Sequence, residues 1–526
     1  MRAFAQLMEL LALTPSRNRK LEALTRYFRE TPDPDRGLAL AILTGALSFK
    51  NVKPSLLREL VEREVDPVLF RLSYDYVGDL GETIALIWPH SGDPEPLPSL
   101  GDLVELFNTT SKSDLPKLIG ALLTRASITE RWALVKIATG ALRIGLSARL
   151  AKTALADMSG VELSAIEEVW NGVTPPYAPL FDWLDGKAER PAIDPTARFH
   201  PLMLAQPVDE EKDFGKLDPA DFAAEWKWDG IRVQIIAAGG RVSLFSRTGD
   251  DIAAAFPDVT EAVVGDGVLD GELLVGADFV PQSFNDLQQR LNRKTALAKH
   301  LSALPAFVRV YDILFDGDED VRALGWQERR ARLEGWFARH KQQTRLDLSP
   351  VIPFSAWDEL REIRRKGAAE NGHEGVMLKH RAAPYVPGRP AGLWYKWKRD
   401  PNVVDAVLMY AQRGHGKRSS FYSDFTFGVW RGNEIVPIGK AYFGFTDAEL
   451  KELDRFVRTH TIQSFGPVRE VEKTLVFEVA FDSAQRSGRH KSGIALRFPR
   501  INRIRWDKPA QEAARIEDMD IFVEAT

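Results

Sequence analysis

Lys227 stands in the string Lys227-Trp-Asp-Gly230, with Glu225 two residues before it and Arg232 two residues after the glycine. A lysine amine attacks an electrophile only after losing its proton, and at pH 7 an ordinary lysine is neutral in about one molecule in a few thousand. A nucleophilic lysine therefore requires cationic neighbours to lower its pKa. The string alone is too short to carry that reading, because a surface lysine before a turn has the same letters. Five more strings follow in order: Ser246-Arg-Thr-Gly249, Leu269-Asp-Gly-Glu272, Val310-Tyr-Asp-Ile313, Glu374-Gly-Val-Met-Leu-Lys379 and Trp394-Tyr-Lys-Trp-Lys398. Near the C-terminus comes Leu496-Arg-Phe-Pro-Arg500, with Arg503, Arg505, Asp507 and Lys508 behind it. Other phosphate devices are missing: no Gly-Lys pair precedes Ser or Thr, and there is no G-x-G-x-x-G.

These strings resemble, in type, order and spacing, the motifs of the covalent nucleotidyltransferases, which include DNA ligases, RNA ligases and mRNA-capping enzymes. The resemblance covers essentially the whole chain and is closest to ATP-dependent DNA ligases of archaeal and eukaryotic type. Leu142-Arg-Ile-Gly-Leu146 and His200-Pro-Leu-Met-Leu-Ala-Gln-Pro207 are similar to segments at the end of their helical domain and before their catalytic core. Thr248 is one departure, where many relatives carry Asn. The resemblance implies that Lys227 takes AMP from ATP as a phosphoramidate, that AMP passes to the 5′-phosphate at a nick, and that the 3′-hydroxyl then displaces it. It implies that Glu225 accepts from the adenine amino group, that Tyr311 stacks on the base, and that Arg232 and Arg247 hold the ribose and phosphate side. Glu272 and Glu374 are expected to touch ribose or to bind Mg²⁺ (or Mn²⁺), which prefers hard oxygen ligands. Lys379, Lys396 and Lys398 are expected to face phosphates, with Lys396 and Lys398 lowering the pKa of Lys227. Arg497, assisted by Lys508, is similar to the arginine that orients pyrophosphate, on a C-terminal domain that swings between steps.

The elements that position these residues fall into three regions. Residues 1–195 read as an all-α DNA-binding domain. Ser127-Ile-Thr-Glu130 has capping-box form before a stripe of Leu134, Ile137, Ala138, Ala141 and Leu142. A second stripe from Leu150 to Met158 follows Ser147, and Arg143, Arg149 and Lys152 face either phosphates or solvent. Pro- and Asp-rich residues 173–207 read as a linker. Residues 196–400 read as an α+β adenylyltransferase core, with strand runs at 233–237, 242–246, 268–275, 307–314 and 375–379 and a helix capped by Ser355-Ala-Trp-Asp358. Residues 401–526 read as about five strands plus a helix announced by Thr446-Asp-Ala-Glu449, which suits a β-barrel OB-fold.

Composition limits the alternatives. Hydrophobic residues make up 44 % and charged residues 27 %, as in a soluble multidomain protein. Cysteine is absent, which excludes thiol catalysis and cysteine-ligated zinc and argues against an NAD-dependent ligase with its cysteine zinc module. No run approaches a membrane span and no export signal opens the chain, so a cytoplasmic protein, associated with the nucleoid when acting, is expected. The net charge of −4 requires local basic patches for any nucleic-acid partner. One such patch is residues 484–508, with eight Lys/Arg against Asp507; Arg413-Gly-His-Gly-Lys-Arg418 is another. The reading is a monomeric nick-sealing DNA ligase whose partner is nicked duplex DNA, with no protein partner evident. The alternatives are an RNA ligase or capping-type enzyme, or a non-catalytic nick-binding protein.

Overall fold

The computed structural model describes residues 1–49, 51–89, 93–291, 298–370, 373–413, 422–442, 444, 446–466, 468–488 and 490–523. By internal packing the chain forms two units, one of residues 1–27, 38–147 and 400–526 and the other of residues 28–37 and 148–399.

In the first unit, every described secondary-structure element up to residue 139 is a helix. The helix Ile128–Thr139 begins with the expected reciprocal Ser127–Glu130 capping box. It stops earlier than the apolar stripe suggested. Gly140 adopts φ 68° and closes the helix, so Ala141 and Leu142 lie beyond it. The buried ammonium of Lys20 then donates to the carbonyls of Ile144 (3.0 Å) and Gly145 (2.7 Å), which ties down the segment Leu142–Leu146.

The same unit's C-terminal part holds more strands than the five expected. Among the described residues seven form one sheet, and Ser483–Arg486 pairs with Ile494–Arg497 as a separate ribbon. The long strand Asn402–Arg413 organises the sheet. One of its edges pairs with Tyr422–Arg431, and the other is shared between Val468–Val471 and Val476–Phe481. The helix Asp447–Thr459 carries the Thr446–Glu449 capping box.

In the second unit, residues 173–207 are packed rather than a bare linker. They contain the helix Ala178–Leu184, whose Leu180, Phe181 and Leu184 are buried. Arg36 lies 4.3 Å from the Phe181 ring and pairs with both Asp33 and Asp185, which brings residues 28–37 into this unit. Lys152 is also buried, 5.1 Å from the Trp170 ring, so it faces neither phosphate nor solvent.

The described residues from 222 to 398 are built on two sheets. One contains β1 (Phe222–Trp226), and the chain leaves it through Lys227–Gly230 to begin β2 (Ile231–Ala238) of the other. The second sheet continues with β3 (Arg241–Ser246), β4 (Gly267–Val275) and β5 (Ala306–Asp316), in the order β3-β2-β4-β5. The first sheet adds β6 (Gly375–His380) and β7 (Trp394–Lys398), in the order β7-β6-β1. All the expected strand runs of the core lie inside these elements. The helix Trp326–Arg339 buries Trp326, Arg329, Leu333 and Trp336, a single face at helical spacing, over the second sheet. The helix Trp357–Glu370 is entered differently from the expected cap. Ser355 donates both its amide and its hydroxyl to Glu359, one residue beyond Asp358.

Candidate active site

Lys227 extends the β1–β6 ladder by one rung. Its amide donates to the carbonyl of Gly375 (2.8 Å), and the amide of Glu374 donates back to the carbonyl of Lys227 (2.9 Å). That rung faces Lys227 toward Glu374, and its Nζ lies 2.5 Å from Glu374 Oε2. Lys398 Nζ stands 3.4 Å from the same oxygen. The glycine of the string has its own reason. A Cβ on Gly230 would stand 2.4 Å from the carbonyl oxygen of Leu273 and 2.8 Å from the Glu272 side chain. The turn can therefore lie against β4, next to Glu272, only without a side chain.

The charges around Lys227 correct the expected means of activation. Burial works to lower the pKa of the ammonium, but the carboxylates of Glu374 and Glu272 outweigh it and hold the pKa above the ordinary lysine value. Lys396 and Lys398 do not reverse this, because the charges closest to Nζ are acidic. Burial also separates the two carboxylates. It pushes Glu272 up to about 8, reinforced by the charges of Glu374 and Asp270. Glu374 feels the same burial, but Lys227 overrides it and brings Glu374 down to about 2. Among the described residues no group of three or more acidic or histidine side chains forms a metal cage. Two carboxylates suit Mg²⁺, which usually completes its shell with water and substrate phosphates.

Tyr311 is aimed by a bulge. Asp312 pairs with Asp270 and Val310 with Gly271, so Tyr311 is the extra residue in β5. Its hydroxyl donates to Asp270 (3.3 Å), as does that of Tyr385 (2.8 Å). Arg232 makes a two-pronged pair with the same carboxylate (3.0 and 2.5 Å) and also donates to the carbonyl of Met203. Arg232 thus ties together the tyrosine platform and the carbonyl of Met203. Asp270 and Tyr385 were not singled out from sequence, although Asp270 lies inside the Leu269–Glu272 string.

Glu225 and Lys379 meet beneath that platform. Both are 1 % exposed, and Lys379 Nζ lies 2.7 Å from Glu225 Oε2. The same ammonium is 4.6 Å from the Tyr311 ring centre and 4.7 Å from that of Trp394. Its expected role as a phosphate-facing cation does not match this buried position under the rings.

A cationic shelf stands elsewhere in the site. Burial lowers the pKa of Lys396, and the charges of Arg389, Lys398, Lys227 and Arg247 lower it further. Arg247 and Arg389 are exposed. Arg389 was overlooked in the sequence because it falls between two strings.

Arg497 and Lys508 belong to the other unit. Arg497 ends the ribbon strand Ile494–Arg497, with its guanidinium 5.2 Å from the exposed Phe498 ring. Lys508 is bound to Asp405 (2.7 Å). The basic stretch is also less bare than its letters. Arg486, Arg500, Arg503 and Arg505 pair with Asp520, Asp482, Glu478 and Asp405, acids that the fold brings from outside residues 484–508. Arg489 and residues 414–418 of the second cluster lie outside the described residues.

Three stretches of the chain match protein families. Residues 1–156 match the DNA ligase N terminus, residues 202–398 the ATP dependent DNA ligase domain, and residues 418–508 the ATP dependent DNA ligase C terminal region. A probable DNA ligase of Koribacter versatilis is 33 % identical, covering 98 % of this chain and 95 % of its own. DNA ligase 1 of Korarchaeum cryptofilum is 31 % identical over 98 % of this chain and 97 % of its own. The solved structure Pmar-Lig_PreS3 superposes with a TM-score of 0.60 over 95 % of this chain and 99 % of its own; at 17 % identity, that is a likeness of fold.

Proposed function

The chain belongs to the ATP-dependent DNA ligases, and from that premise we propose which of its residues perform the joining of nicks. ATP is the adenylate donor of this family. Lys227 is the nucleophile: its Nζ attacks the α-phosphorus of ATP, a P–N bond forms, and pyrophosphate leaves. The observation that carries this is the rung between Lys227 and Glu374, which seats Nζ among two carboxylates and a cationic shelf. Glu374 orients Nζ and, while charged, stabilises the ammonium form; neutralising Glu374 lowers the pKa of Lys227, so that Nζ gives up a proton to solvent and attacks as the neutral amine. Lys396, Lys398, Arg247 and Arg389 receive the phosphates, and fixed cations of this kind stabilise charge that develops during transfer. Tyr311 stacks on the base and Glu225 accepts from its amino group. Glu272 and Glu374 would hold a divalent cation, which would supply further charge neutralisation at the phosphates.

The remaining steps pass AMP to the 5′-phosphate of the nick and then expel it by attack of the 3′-hydroxyl. Arg497 acts on pyrophosphate in the first step. Residues 1–195, 196–400 and 401–526 act as a helical DNA-binding domain, an adenylation domain and an OB-fold, within a monomer. No helix among the described residues is long and apolar enough to cross a membrane.

The test uses ATP labelled at the α-phosphate. Wild-type protein with Mg²⁺ becomes labelled and transfers the label to nicked duplex, whereas Lys227→Ala acquires none. Undiminished label on Lys227→Ala removes Lys227 from the mechanism.

A further inference from the structure

Glu225 is shared by two cations on opposite oxygens. Lys379 takes Oε2, and Arg330 NH1 lies 3.3 Å from Oε1. Arg330 comes from the helix Trp326–Arg339, outside every string that carries the family resemblance. Its guanidinium has little freedom: NH1 donates to the carbonyl of Ser349 (2.7 Å) and Nε to Glu334 (2.7 Å). Ser349 is itself built into the site, since its hydroxyl accepts from the indole of Trp228, the neighbour of Lys227 (3.1 Å). The adjacent Arg329 grips Asp312, the neighbour of Tyr311, in a fully buried pair. One turn of helix therefore anchors both the tyrosine strand and the Glu225 strand.

The charge state of Glu225 decides what it can recognise. A carboxylate only accepts hydrogen bonds, whereas a protonated carboxyl also donates one. An amino group at purine position 6 is a donor and an oxo group is an acceptor, so the two forms of Glu225 favour different bases. Burial favours the neutral form and, with the charge of Asp312, raises the pKa of Glu225 above the ordinary value, while Lys379 and Arg330 hold that rise back. Arg suits such a buried post because it stays charged and directs several donors from a rigid plane.

We propose that Arg330 is a positioning residue that fixes Glu225 as a charged acceptor and thereby sets the preference for a 6-amino over a 6-oxo purine nucleotide. This rests on the reading of Glu225 as the adenine contact.

The experiment measures adenylation of the full chain with ATP and with inosine 5′-triphosphate, comparing kcat and KM. Arg330→Met raises KM for ATP about tenfold, changes kcat by less than about threefold, and lowers the ATP-to-ITP ratio of kcat/KM about tenfold or more. Arg330→Lys, which keeps a positive charge, loses less than about threefold of that ratio. Glu225→Gln shows a similar fall, and adding Arg330→Met to it causes little further loss, as expected of two residues acting through one contact. Should Arg330→Met not fold, as judged by thermal melting, Arg330→Gln and Arg330→Lys carry the same comparison. A parental ratio in the Arg330 variants, with a lowered ratio in Glu225→Gln, overturns the assignment of Arg330 alone. An unchanged ratio in Glu225→Gln overturns both that assignment and the reading of Glu225.

Discussion

Asp270 is fully buried and receives hydrogen bonds from Arg232, Tyr311 and Tyr385. Removing its charge leaves the guanidinium of Arg232 uncompensated in the interior, and breaking a buried pair in this way costs about 3–5 kcal/mol. Asp270→Asn is expected to lower the denaturant midpoint accordingly and to weaken ATP binding, read by denaturation and by adenylation kinetics. A loss under about 1 kcal/mol would show that Asp270 is not the hub. Residues inside the strings were legible one by one, because each string is a run of contiguous letters. Their charges were not. Lys227 was expected among cations and lies beside acids, while Lys379 was expected at phosphate and lies under two rings. Pairing across strands is set by register, and no local reading of letters contains it.

At the scale of elements, the turn Lys227–Gly230 is held by what it approaches. Gly230→Ala places a methyl group 2.4 Å from the Leu273 carbonyl, a backbone atom that cannot swing aside. The expected cost is about 1–3 kcal/mol, with a larger fractional loss of adenylation than of duplex binding, because the displaced group is Lys227. Equal losses in both assays would place the damage elsewhere. Helix starts at Ser127 and Thr446 were readable because a capping box is a local exchange of hydrogen bonds. The stop at Gly140 was less plain, since apolar residues continue past it. Arg330 was invisible for a similar reason, as a surface-like charge on an amphipathic helix differs from a buried one only through the strand opposite.

At the scale of the whole molecule, two titrations are informative. His200 is buried against Phe315, with its backbone exchanging hydrogen bonds with Gln234. Burial, helped by the charge of Arg322, brings its pKa down to about 4 from the ordinary 6.5. The unfolded chain therefore binds the extra proton first as pH falls. His200 thus contributes fully to stability above pH 6.5, and that contribution, roughly 3 kcal/mol at most, is lost between pH 6.5 and about 4. Denaturation of wild type and His200→Gln across this window should show a shallower pH slope in the variant. Salt is the second titration. Lys491 is exposed, whereas Arg505 already faces Asp405 and Asp507. Lys491→Ala is expected to reduce the salt slope of nicked-duplex binding by about 0.9, and Arg505→Ala by less; the reverse order would contradict the pairing. The two-sheet core has one more consequence, which concerns how such a segment can vary. Lys227 closes the ladder of one sheet and opens the path to the next. Inserting or deleting a single residue in β1 would turn every side chain after it to the opposite face. The length of this segment is therefore as constrained as the identities of Glu225, Lys227 and Gly230 along it.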